Sequence, residues 1–126
     1  MREIKIAFVL ETDRIPPEQI AEKLDIRPFN TRSVFPPKSI AKPWWETELV
    51  SDWTDIETAL LELRERLKPK LDEIDALVQE YNIAPGVVLT VRCDWADRPV
   101  LAVPPYLYPF LERLHAELIL DVAYEW

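Results

Sequence analysis

The stretch from Thr54 to Tyr81 constrains the fold more than any other. Ile56, Leu60, Leu63, Leu67, Leu71, Ile74, Val78 and Tyr81 recur at steps of three or four, which places them on one face of a helix. Charged residues fill most of the remaining positions. Thr54 and Glu57 have the spacing of a capping box, in which hydroxyl and carboxylate each satisfy one orphan N–H. Pro69 interrupts the middle. It removes one i→i−4 hydrogen bond and crowds the carbonyl of Glu65, so the spacing predicts a kink or two helices end to end.

Strand-like segments flank this rod. In Ile4–Glu11, Ile4, Ile6, Phe8 and Leu10 share one face. Pro17 suits a first helical position, and the helix it opens runs to about Leu24, ending before Pro28. Residues 27–43 are irregular and proline-rich. Trp44–Val50 reads as a second strand, Asn82–Gly86 as a turn, and Val87–Cys93 as a strand with Val87, Leu89, Val91 and Cys93 inward. Asp94–Pro99 reads as a hairpin loop returning through a short strand, Val100–Val103. A helix then carries Leu107, Phe110, Leu111 and Leu114, and Leu118–Trp126 alternates as a closing strand. The expected fold is a single α+β domain over 1–126, an α/β sandwich in the order β-α-β-α-β-β-α-β. It has one mixed sheet of about five strands, with helices mainly on one face.

Composition excludes several functions. The single glycine, Gly86, against 12 prolines rules out Gly-rich phosphate loops, so turns must be built from Pro, Asn, Asp and Ser. The net charge of −8 repels nucleic acid and lipid headgroups and favours a basic partner. One cysteine excludes an internal disulfide. The apolar run 6–10 is too short for a signal peptide, and no segment reaches the roughly 18 apolar residues of a membrane span. A cytoplasmic protein without a membrane anchor is expected.

Two constellations could carry function. Residues 27–45 hold Arg27, Arg32, Lys38 and Lys42 and no acid, interleaved with Phe29, Phe35, Trp44 and Trp45. Such a mixture suits an anionic ligand or a protein hot spot. Equally, the rings could close one end of the core while the cations pair with neighbouring carboxylates. Four cations in a −8 chain make a small footprint for nucleic acid. The second constellation is acidic: Asp72, Glu73 and Asp75 lie beyond the kink with Glu80, either as a solvated face or as a surface for a basic protein. Catalytic candidates are few. His115 is the only histidine and suits a helix C-terminus; Cys93 faces inward as a small apolar residue would. One histidine and one cysteine do not make a zinc site without carboxylates. Trp53 and Trp95 sit beside turns, where an indole can edge the core and keep its N–H wet. No metal, cofactor or catalytic residue is expected.

The chain resembles a bacterial family, domain-of-unknown-function family 4279. The resemblance rests on Pro17–Glu18, Leu24–Asp25–Ile26 before Pro28, Trp45, Ser51–Asp52, Leu67–Lys68–Pro69, Leu111 and Leu114, then Leu120–Asp121–Val122 and Tyr124. It spans nearly the whole chain. The family's Lys-Gly or Arg-Gly turn before the tryptophan is absent here. The resemblance implies no known activity. It implies an immunity or accessory role beside a toxin, hence a non-enzymatic protein-binding module with a basic protein partner, as monomer or homodimer. The candidate contact residues are Arg32, Lys38, Trp44, Trp45, Asp72, Glu73 and Asp75. The alternative is a domain binding a small anionic ligand through the loop 27–45.

Overall fold

The computed structural model describes residues 2–28, 30–32, 44–51, 55–98 and 101–124. In chain order the elements are β1 (Arg2–Glu11), α1 (Pro17–Leu24), β2 (Asn30–Arg32), β3 (Trp44–Ser51), α2 (Ile56–Leu67), α3 (Leu71–Tyr81), β4 (Ala84–Cys93), α4 (Tyr108–Leu114) and β5 (Glu117–Tyr124). The sheet order is β2-β3-β1-β4-β5. β1 lies at its centre, antiparallel to both β3 and β4, while β4 and β5 run parallel. The parallel pair requires a crossover, which the segment containing α4 supplies. The molecule is thus a mixed α+β fold on one mixed sheet of four long strands and a three-residue edge strand.

The expected element order is corrected at two points. Leu101–Val103 have no regular structure, and Val100 lies outside the described residues. β4 has only two edges; β1 takes one and β5 the other, so no hairpin strand can pair there. Conversely, Asn30–Arg32 form a strand that was not expected, paired to Trp44–Glu46.

Alternation decides which sheet face is covered. Ile4, Ile6, Phe8 and Leu10 are fully buried, and the register sets them beside Val91, Leu89, Val87 and Trp45. These residues form one core with Ile20 and Leu24 of α1, Leu60, Leu63 and Leu67 of α2, Ile74 and Leu77 of α3, and Phe110 and Leu114 of α4. The helices therefore pack on that face. The opposite face carries Lys5 and Val9, half-buried, and Glu11, Arg92, Ile119 and Asp121, exposed. Burying a large aliphatic side chain contributes roughly 1.5–3 kcal/mol, so this face contributes the largest favourable term to folding.

The rod behaves as its period implies. α2 ends at Leu67, a 3-10 turn covers Lys68–Lys70 around Pro69, and α3 resumes at Leu71. The cap differs from expectation. Asp55 is the N-cap of α2 and accepts from the Thr58 N–H at 2.7 Å; Thr54 lies outside the described residues. Glu57, freed from the capping role, accepts a hydrogen bond from the Tyr106 hydroxyl.

Helix ends show how a chain with one glycine turns. Asp25, Asn82 and His115 follow α1, α3 and α4 with φ of 53°, 52° and 55°. Asn, Asp and His are the non-glycine residues that best tolerate this left-handed region. Gly86 is not among the positive-φ positions; it lies within β4. Buried Thr12 ties β1 to the end of the rod. Its hydroxyl donates to the Tyr81 carbonyl at 3.1 Å and accepts from the Arg14 N–H.

Candidate functional site

The best-defined polar cluster lies where α4 meets α3. Phe110 and Leu114, both buried, seat α4 on the core. Its chain reverses at His115, whose N–H bonds to the carbonyls of Glu112 and Leu111, and Ala116 N–H also reaches Leu111. That left-handed turn carries the imidazole to α3, where Nε2 lies 3.0 Å from Asp75 Oδ1. Arg113 Nη2 donates to Asp72 Oδ1 at 2.7 Å, and Nη1 lies 3.5 Å from Asp75 Oδ2. Gln79 donates to Asp75 at 3.5 Å. The His115 hydrogen bond, aided by the charges of Arg113 and His115 and opposed by partial desolvation, holds the Asp75 carboxyl below its ordinary value of 3.8. A pocket of about 440 Å³ opens here, lined by Asp75, Gln79, Pro109, Glu112, Arg113 and His115.

This geometry redraws the acidic candidate. Asp72 and Asp75 are engaged by cations of their own chain, while Glu73 is exposed on the same helix without an ion pair among the described residues. Asp72 stays 95% exposed despite its bridge, and such a pair contributes little to stability. An imidazole held by a carboxylate is a proton-transfer arrangement in form. No serine, threonine or cysteine lines the pocket. Cys93 is buried at the end of β4.

The basic–aromatic candidate is corrected more strongly. Trp44 and Trp45 are neighbours on one strand, so their side chains leave on opposite faces. Trp44 is half-buried. Trp45 is fully buried, packed edge-on to Phe8 with ring centroids 6.4 Å apart. Trp45 is therefore a core residue and cannot join Trp44 in a binding surface. Its indole N–H is buried without a hydrogen-bond partner among the described residues. Arg32 belongs to β2, paired with Trp44 across the ladder. Lys38, with Phe29, Phe35 and Lys42, lies outside the described residues.

A further cluster was not expected from the sequence. Trp95, expected at the core edge, is 57% exposed. It packs edge-on to Tyr124 at 4.9 Å, and the Arg98 guanidinium stacks 4.5 Å over its ring. The signal lies in the register: Cys93 pairs with Tyr124, so a ring just past Cys93 lies near the end of β5. Trp53 lies outside the described residues.

Among the described residues, no group of three His, Cys, Asp or Glu side chains could hold a metal, and no helix is long and apolar enough to cross a membrane. No curated protein and no solved structure matches the chain. A family profile described as "Domain of unknown function (DUF4279)" matches residues 2–125. On that match over nearly its whole length, the chain belongs to the DUF4279 family.

Proposed function

We propose that the protein is a non-enzymatic protein-binding module, an immunity-type or accessory protein of a bacterial toxin system acting in the cytoplasm. One observation carries this reading. Trp95 and Tyr124, both exposed, pack edge-on at 4.9 Å with the Arg98 guanidinium stacked over the indole. Trp, Tyr and Arg dominate protein hot spots. The Arg98–Trp95–Tyr124 stack is such a group, already assembled. It adjoins β5, an edge strand that can accept main-chain hydrogen bonds from a partner. The net charge of −8 favours a basic partner, with Glu73 and Glu80 the acids of α3 that have no ion pair among the described residues.

The test is calorimetry with the product of an adjacent toxin gene. Trp95→Ala and Tyr124→Ala are expected to weaken binding about thirtyfold each, the scale of a hot-spot truncation, with the circular dichroism spectrum unchanged. Affinity indifferent to both substitutions refutes the reading. The alternative, an anion held by the loop 27–45, loses Trp45 to the core, and residues 33–43 of that loop lie outside the described residues.

A further inference from the structure

We propose that the groove between the α2–α3 kink and α4 binds a small phosphate-bearing molecule with a planar or apolar body. The groove is open to solvent, spans about 460 Å³ and is lined by Arg64, Glu65, Lys68, Leu71, Tyr106, Pro109, Phe110 and Arg113. That volume falls in the range of small-molecule sites. Arg64 and Lys68 stand one helical turn apart and face the groove together. Arg113 closes it from α4. Three cations and one carboxylate thus line a cavity in a protein of net charge −8.

The floor and wall define the rest of the ligand. Leu71 and the nearly buried Phe110 supply apolar surface beneath the cations. The Tyr106 hydroxyl donates to Glu57, and its ring lines the groove as a wall. Arg64 and Lys68 have no ion-pair partner among the described residues. Arg113 spends two of its nitrogens on Asp72 and Asp75 and retains further N–H donors. A phosphate among these groups would receive charge-assisted hydrogen bonds, and a ring attached to it would cover Leu71 and Phe110.

Helix dipoles account for part of this pattern and no more. Arg64 and Arg113 lie in the last turns of α2 and α4, where cations are favoured. Arg66 and Lys70 satisfy the same preference without lining the groove. The dipole does not select the two positions that converge with Arg113 over an apolar floor.

The test is an NMR titration of the full chain with phenyl phosphate, inorganic phosphate and phenol. Phenyl phosphate is expected to bind saturably, with shifts confined to 64–71 and 106–113, and about tenfold or more tighter than inorganic phosphate; phenol is expected to cause no saturable shift. Arg64→Ala and Lys68→Ala should each weaken phenyl phosphate about tenfold or more, while Arg66→Ala and Lys70→Ala leave it unchanged. Circular dichroism establishes that each variant is folded. The proposal is overturned by no saturable response to phenyl phosphate. It is equally overturned by inorganic phosphate binding as tightly, or by Arg66→Ala and Lys70→Ala weakening binding as much as the groove variants, since either marks a diffuse charge effect.

Discussion

Trp45 allows a quantitative test of how the core is built. Its side chain is fully sealed, yet the indole N–H has no acceptor among the described residues. Trp45→Phe removes that N–H together with part of the ring. The lost apolar burial is on the order of 40 Å², worth about 1 kcal/mol. The space left behind, on the order of 40 Å³, costs about another 1 kcal/mol. Against both stands release of a buried unsatisfied donor, worth about 1–3 kcal/mol. The sum lies within about 1 kcal/mol of zero, although the largest side chain of the core has been cut down. Trp45→Ala removes the whole ring beside Phe8 and is expected to cost about 3–5 kcal/mol. Urea unfolding followed by far-ultraviolet circular dichroism measures both, from midpoint and slope. A Trp45→Phe cost close to that of Trp45→Ala would refute the reasoning, because it would mean that the N–H is bonded in the folded protein.

Asp75 sets an acid dependence. Its folded carboxyl titrates below 3.8, so its contribution is fully present above the ordinary carboxylate range and is lost as pH falls through the lowered value. The difference in Tm between the protein and Asp75→Asn should close as pH falls from about 5 toward about 2, and a constant difference across that range contradicts the assignment. Gly86→Ala should be neutral or stabilising by up to about 1 kcal/mol, because the backbone is not left-handed and the new methyl would meet Ile119 Cδ1 at 3.8 Å and the Glu117 carbonyl at 3.9 Å, ordinary contact distances. Loss of stability by calorimetry would show that the pairing of β4 with β5 depends on the missing side chain. Asp55→Ala should cost about 1 kcal/mol by urea unfolding through loss of the bond to Thr58, and a neutral result would remove Asp55 as the cap.

Much of the fold is legible because burial imposes a period. The inward sets of β1 and β4 can be named from alternation, and the face of α2 and α3 from steps of three and four, since each element packs one face only. Pro69 marks the kink for a covalent reason that no packing can override. The misses are of another kind. Asn30–Arg32 is too short to show alternation and is a strand because Trp44–Glu46 lies beside it. Residues 101–103 follow a plausible strand pattern, but the edge of β4 they needed belongs to β5. Which neighbour occupies an edge is a property of topology, which local periodicity does not encode.

The same division separates the candidate sites. That Trp44 and Trp45 cannot share a surface follows from reading 44–50 as a strand, because adjacent side chains diverge. That consequence needed no coordinates. Asp72 and Asp75 are different. On their own helix they are an acidic face open to a basic partner, and nothing local contradicts that. Their partners come from α4 and its end: Arg113 within the helix, 41 residues from Asp72, and His115 at the left-handed turn, 40 residues from Asp75. A surface charge run becomes a docking hypothesis only after the chain's own cations have been assigned. Once Arg113 and His115 are assigned to α3, the acids of that helix without an ion pair among the described residues are Glu73 and Glu80, and the functional weight moves to the exposed rings around Trp95 and to the cations of α2 that face the groove.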